Sequence, residues 1–322
     1  MGVSITAIEY YLPSRILNND YLYEKFGLDK KFIEEKLGIA ERREALEDES
    51  CHTMGHEAAL KLFATHQISP ESIDLLIVVT QNPDYKLPNV ASLLQHSLKL
   101  RDKVAALDIN LGCSGFVYAL AVLKGLMITT GFHRGLIVTS EPYSKVLASD
   151  DRSTVPLFGD AAAAVLCDSG ANDKLGEFDF GTDGSGAESL IIRTGGSKYP
   201  QQSKSSKDNF ITMDGRAIYS FMMKRVPQSV AACLTRNNLT FDDIDFFLFH
   251  QASKYMLDSL LKRMNIPEQK MVYCLKHCGN TVSSSIPIAL KPLISNADNT
   301  NKRVLVSGFG VGLSWATGVL YI

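Results

Sequence analysis

No apolar run in the 322 residues approaches the roughly 18 needed for a membrane-spanning helix, so a helical span is not the organising element. An excess of one charge is also missing. The 33 Lys and Arg nearly balance the 35 Asp and Glu, and a formal net charge of -2 gives no electrostatic case for nucleic acid or a membrane surface. A small anionic ligand would need a local basic patch. The six cysteines (51, 113, 167, 233, 274 and 278) are too few and too scattered for a disulfide framework, so a cytoplasmic, reduced protein is expected. The first residues lack a basic stretch and carry Glu9 early, so they do not read as a signal peptide. Met1-Gly2 with Thr6 fits the loose myristoylation pattern, but the residues that follow read as a strand. Low-complexity sequence is absent too. What remains is 45% hydrophobic and 21% charged, ordinary for a globular chain of one large or two medium domains.

Strand and helix signals alternate along the chain. Val3 to Tyr11 reads as a strand, Asn18 to Arg43 as polar and helical with a turn near Gly27, and Glu49 to Thr65 as a helix. Leu75-Leu-Ile-Val-Val-Thr80 is a continuous apolar, β-branched run, the mark of a strand buried on both faces. Helix 90–98, strand 104–109, helix 116–129 and strand 135–139 complete an α/β pattern with helices on a buried sheet. The second half repeats it. Residues 66–79 match residues 237–250 at an offset of 171, with Ser69 and Thr240 in register as helix N-caps and Ile73-Asp74 in register with Ile244-Asp245. Matched residues in matched order imply duplication, with halves at 1–170 and 171–322 joined around 170–215. Residues 195–208 are polar and basic enough for a surface loop.

Asp108-Ile-Asn-Leu-Gly-Cys113-Ser-Gly-Phe116 ends a strand, turns at Gly112 and enters a helix. Unpaired N–H groups and the macrodipole at a helix N-terminus favour a thiolate, so Cys113 reads as a nucleophile or as one more buried, inert cysteine. In the other half His250 ends an apolar strand, and Asn280 lies in the turn Cys278-Gly-Asn-Thr281 before a helix. Each alone reads as a core histidine or a turn asparagine. Brought to Cys113 by the internal symmetry, they make a nucleophile with two polar partners, one able to relay a proton and one to support an oxyanion. Ser307-Gly-Phe-Gly-Val-Gly-Leu313 offers further backbone N–H groups but lacks the GxGxxG spacing of a dinucleotide site. Cys274-x-x-His277-Cys278 resembles part of a zinc site without its second ligand cluster, and His52 with His56 lacks partners, so no metal is expected. A Cys-His-Asn hydrolase is disfavoured by the duplication.

Asp108-x-x-x-x-Cys113-Ser-Gly-Phe, Leu157-Phe-Gly-Asp160, His250-Gln-Ala, Gly279-Asn-Thr and Phe309-Gly-Val-Gly-Leu-Ser-Trp315 occur in the order of the β-ketoacyl-acyl carrier protein synthase III family. The chain resembles that thiolase-like family over nearly its whole length, including Gly38-Ile39 with Arg42-Arg43 and Met213-x-Gly215-Arg216. The resemblance implies a homodimer of five-layered α/β/α/β/α chains and a catalytic trio of Cys113, His250 and Asn280. It implies an oxyanion hole from the backbone of Cys113, Gly310 and Val311. The activity implied loads an acyl group from acyl-coenzyme A onto Cys113 and condenses it with malonyl-acyl carrier protein. The coenzyme A thioester is then a substrate, and no cofactor is implied. Arg152 matches an arginine clamping the adenine, Phe32 stands where a tryptophan usually stacks on it, and Leu87 aligns near a position shaping the acyl pocket across the dimer. Gly215 and Ser253 fall at substrate-binding positions. Ser253 replaces the usual asparagine, the alanines after Asp160 replace a glycine-containing run, and Trp315-Ala316 replaces Trp-Gly. These departures leave room for a specialised relative, including one that passes the acyl group to an oxygen or nitrogen without decarboxylation.

Overall fold

The computed structural model describes residues 2–201 and 206–322. Residues 202–205, inside the loop expected over 195–208, lie outside those described.

Two sheets carry the fold. The first has the strand order Gly2–Tyr11, Ala161–Gly170, Arg134–Glu141, Leu75–Val79, Ala105–Ile109. Its last three strands run parallel, and the Ala161–Gly170 strand pairs antiparallel on both sides. The second has the order Phe246–Phe249, Arg303–Gly310, Ser314–Tyr321, Leu175–Thr182, with only its first pair parallel. Read from the other end, the second order repeats the first: Leu75–Val79 corresponds to Phe246–Phe249, Arg134–Glu141 to Arg303–Gly310, and Ala161–Gly170 to Ser314–Tyr321. The counterpart of the Ala105–Ile109 strand shrinks to one parallel bridge, Phe247 to Met271.

Helices Gly115–Thr130 and Ser285–Ser295 lie between the sheets. Phe116, Val117, Leu120, Leu123 and Met127 of the first pack with Ile286, Ala289 and Leu290 of the second, and strands of both sheets close over them. A helix apolar on nearly every side suits that position and no surface one. Cys51–His66 and Val90–Ser97 cover the outer face of the first sheet, and Gly215–Arg236 and Lys254–Met264 cover the second. The result is five layers, α/β/α/β/α. Leu75, Ile77 and Val79 point into the central layer while Leu76 and Val78 point outward, so the run that looked uniformly apolar is buried twice over.

Three local expectations change. Helical structure fills only part of 18–43: helix Asn19–Phe26 ends at Gly27, and a π-helical turn spans Phe32–Leu37. Glu41–Glu44 is a strand, because Arg15–Asn18 offers it an extended partner and Arg42 is drawn into the interior. Ser69 and Thr240 keep their register but cap no α-helix. Ser69 precedes a 3-10 turn at Pro70–Ser72 without a side-chain cap, and Thr240 bonds to Asp243 in a turn. The glycines of 307–313 divide between strand Arg303–Gly310 and a three-residue turn.

Candidate active site

Cys113 is 7% exposed and lies two residues before the central helix Gly115–Thr130, in a turn closed by the Gly115 N–H donating to the Gly112 carbonyl at 2.8 Å. Strand Arg303–Gly310 of the second sheet crosses directly over it. A Cβ on Gly310 would lie 3.1 Å from the Cys113 Cβ and 3.2 Å from its Sγ, and one on Gly308 would lie 2.5 Å from the Cys113 carbonyl oxygen. Only side-chain-free residues let the strand come so close. Val311 follows in the turn, where its carbonyl accepts from the Ser314 hydroxyl at 2.9 Å. Ser114 and Ser314 hydroxyls bond at 2.8 Å, tying the two halves together beside the sulfur.

The second half supplies the polar partners. His250, 2% exposed, stands at the end of strand Phe246–Phe249, and its N–H donates to the Ser307 carbonyl at 2.8 Å. Its Nδ1 lies 2.7 Å from the Ser285 hydroxyl, which also receives the Gln251 N–H at 3.4 Å. The ring meets Phe309 edge to face with centroids 5.7 Å apart. Burial pushes His250 down to about 3, against a weaker upward pull from the Val282 backbone, so the imidazole is neutral through the physiological range. Asn280, 3% exposed, is pinned by its backbone: its N–H donates to the Leu157 carbonyl and its carbonyl accepts from the Gly159 N–H. Its Oδ1 accepts the Val282 N–H at 2.9 Å, which leaves the side-chain NH2 as the available donor. Val282 sits at φ 52, a left-handed conformation rare for a β-branched residue and of a kind that collects at functional sites. The end of the central layer therefore holds a buried thiol, a neutral imidazole and a fixed amide.

The electrostatics add a group that sequence reasoning missed. Glu141 ends the strand Arg134–Glu141 fully buried, accepting from Ser283 Oγ at 3.2 Å, the Gln81 N–H at 3.3 Å and Thr80 Oγ1 at 3.4 Å. Burial pushes it up to about 8 despite those donors. Burial first, and then Glu141, also push the Cys113 thiol above its usual range, while its own backbone N–H pulls the other way. The expected resting thiolate therefore gives way to a neutral thiol, because desolvation outweighs the helix terminus. No pattern in the sequence singled out Glu141.

The substrate-binding expectations fare unevenly. Arg152 is exposed in the wall of a cavity of about 810 Å³ with Asp151, Phe210 and Met213, and its guanidinium has no partner among the described residues. Phe32 is 46% exposed and lies outside the wall of that cavity. Gly215 and Ser253 line another cavity, of about 510 Å³, with Tyr219 and Tyr255, whose stacked rings were not foreseen. The Ser253 hydroxyl also caps helix Lys254–Met264 by accepting the Met256 N–H. Leu87 is 83% exposed on its loop. His52 and His56 both face the Ser97 hydroxyl at 3.0 Å, and the Cys278 thiol donates to the Cys274 carbonyl. Among the described residues no group of three or more His, Cys, Asp or Glu side chains is placed to hold a metal.

Comparison with known proteins follows the same lines. Residues 107–184 match the family described as 3-oxoacyl-[acyl-carrier-protein] synthase III, and residues 234–322 match its C-terminal part. A β-ketoacyl-[acyl-carrier-protein] synthase III of Lactococcus lactis subsp. lactis is 34% identical over 320 residues, 98% of either chain. A crystal structure of a 3-oxoacyl-(acyl-carrier-protein) synthase III shares 38% identity and a TM-score of 0.96 over 100% of both chains. Another 3-oxoacyl-(acyl-carrier-protein) synthase, from Burkholderia xenovorans, gives 34% and 0.92 over 100% of this chain and 94% of that one. The priming β-ketosynthase of the R1128 polyketide pathway gives 27% and 0.90, covering 100% of this chain and 96% of its own.

Proposed function

The chain belongs to the β-ketoacyl-[acyl-carrier-protein] synthase III family, and from that premise we propose that Cys113 carries the acyl group and that His250 and Asn280 drive the condensation. The enzyme is an acyltransferase: it condenses an acyl group from acyl-coenzyme A with malonyl-acyl carrier protein to give a 3-oxoacyl product. In the first step the Cys113 sulfur attacks the thioester carbonyl, an acyl–sulfur bond forms, and coenzyme A leaves with the proton that Cys113 gives up. Neutral His250 is the group able to relay that proton, and the N–H groups of Cys113 and of the Gly310–Val311 turn face the developing oxyanion. In the second step malonyl thioester loses carbon dioxide, and the electron pair left behind becomes an enolate. Neutral donors, the imidazole and the Asn280 NH2, support that oxygen without protonating the carbon. The carbanion then attacks acyl-Cys113, releasing the 3-oxoacyl product and the Cys113 thiolate, which takes up a proton from solvent to restore the thiol.

The observation that carries this reading is the neutral His250 and the oriented Asn280 amide at the layer end where Gly310 leaves room above Cys113. Transfer to oxygen or nitrogen has no observation in its favour. Arg152, Phe32, Gly215 and Ser253 are assigned to coenzyme A and its pantetheine arm, with no cofactor beyond that substrate. The exposed Leu87 supports a homodimer in which it reaches the partner's acyl pocket, and the site is assigned to the cytoplasm. No helix among the described residues is long and apolar enough to cross a membrane.

Peptide mapping after incubation with acyl-coenzyme A tests the first step: the added mass is expected on Cys113 and is absent from Cys113→Ala. Asn280→Ala is expected to load normally and to lose carbon dioxide release from malonyl-acyl carrier protein. Undiminished release would remove Asn280 from the mechanism.

A further inference from the structure

Resting on the acyl-transfer reading above, we propose that Glu141 is a positioning residue of the condensation step. Its carboxyl braces the turn that holds His250 and Asn280 against the loop that flanks the Cys113 turn. The hydrogen bonds of Glu141 go to Ser283, Thr80 and the Gln81 backbone, so it acts through those groups and not on the substrate.

On one side the brace reaches both polar partners through a single residue. Val282–Ser284 form a 3-10 turn just after Asn280. The Val282 N–H donates to Asn280 Oδ1 at 2.9 Å, and the Val282 backbone also bonds the His250 ring. Val282 is left-handed, at φ 52, which a β-branched residue keeps only where its surroundings fix it. Strand Arg134–Glu141 does the fixing. Thr139 and Glu141 lie two apart, on one face of that strand, and take the next two residues of the turn. Ser283 Oγ donates to Glu141 at 3.2 Å. Ser284 Oγ donates to the Ala161 carbonyl at 3.2 Å and lies 2.8 Å from Thr139 Oγ1.

On the other side the same carboxyl holds the loop next to the nucleophile. The Gln81 N–H donates to both carboxyl oxygens, at 3.3 and 3.4 Å, and Thr80 Oγ1 donates at 3.4 Å. A Cβ on Gly112 would lie 2.4 Å from Gln81 Oε1, so this loop abuts the turn that presents Cys113. The titratable groups that face Glu141 are Asp160, Cys51, Cys113 and Tyr143, all of them acids. Burial in that company keeps the carboxyl neutral up to about pH 8. A neutral acid can brace the site without opposing the negative charge that develops on sulfur and enolate, as a carboxylate would. An amide of the same shape can therefore take its place.

Two rates separate a brace from general damage to the fold. One is acylation of Cys113, read by intact mass with the fastest of acetyl-, butyryl- and hexanoyl-coenzyme A. The other is carbon dioxide release from malonyl-acyl carrier protein. Ser283→Ala cuts only the Asn280 side, so loading is expected to stay within about twofold while release falls about tenfold. Glu141→Ala frees both sides, and release should fall about 100-fold with loading about tenfold lower. Glu141→Gln should keep both rates within about threefold of the parent at pH 7. Its release relative to the parent should then rise as pH passes 8, where only the parent acquires a charge. In Ser283→Ala, equal losses of loading and release, or no loss of either, overturn the brace and leave the acyl-transfer reading standing. Glu141→Gln as impaired as Glu141→Ala, or a ratio of Glu141→Gln to parent that is flat with pH, overturns the neutral acid. Failure of every donor to acylate Cys113 in the parent overturns the acyl-transfer reading itself.

Discussion

Cys113 and Ser283 occupy matching places in the two halves. Each lies two residues before its central helix, Gly115–Thr130 or Ser285–Ser295, and each is crossed by the end of the matching strand from the opposite half. Over Cys113 that strand end is Gly310, and over Ser283 it is Glu141, which accepts the serine's hydrogen bond at 3.2 Å. Glycine leaves the space above the sulfur free of a side chain. Glutamate fills the corresponding gap and occupies the hydroxyl. The two halves thus present matching thiol- and hydroxyl-bearing positions, and the side chain on the crossing strand decides which one is covered.

Exchanging the nucleophiles breaks this comparison most severely. Cys113→Ser is expected to lose condensation by about a thousandfold, about 4 kcal/mol, since a buried hydroxyl is a far poorer nucleophile than a thiol. Ser283→Cys should gain no acylation at position 283, because Glu141 still covers it. Mass mapping that finds an acyl group there would end the argument from the crossing strand.

Gly310→Ala has a smaller expected effect. Its Cβ would press on the Cys113 side chain at 3.1 to 3.2 Å, tighter than ordinary van der Waals contact. Acylation should slow about tenfold with the far-ultraviolet circular dichroism unchanged. An unaltered loading rate would show that the gap is not what admits the thioester.

Glu141→Gln sharpens the comparison through pH. In the folded chain Glu141 is raised from 4.5 to about 8, so it binds its proton more tightly folded than unfolded. Its contribution to stability is therefore complete below about pH 4.5 and is lost as pH rises towards 8. Glutamine stays neutral throughout, so the variant's unfolding free energy relative to the parent should climb between pH 5 and 8, by about 2 to 4 kcal/mol at 1.4 per pKa unit. Denaturant midpoints across that range give the measurement. A difference that does not change with pH would mean Glu141 is already ionised in the fold.

Much of the site was readable because its signals are local. Gly112-Cys113-Ser114-Gly115 announces a strand-to-helix turn, and the offset of 171 tells where the second half must place His250. Phe32 and Leu87 rest on the family resemblance alone, and both stand exposed in a single chain. Ser253 illustrates a different limit: one hydroxyl both caps helix Lys254–Met264 and faces a cavity, and residue type cannot separate those uses. Glu141 was invisible because a glutamate at a strand end looks like any surface carboxylate until burial is known.

The sequence by itself determined the alternation of elements, the duplication, the family and the identity of Cys113 and its two polar partners, since these follow from order and spacing along one chain. Tertiary structure alone decided that burial keeps the Cys113 thiol protonated, that His250 is neutral, and that Glu141 rather than glycine covers the matching position at Ser283. Those properties depend on how closely the two sheets approach through the central helices, and desolvation is a function of that distance, not of neighbours in sequence.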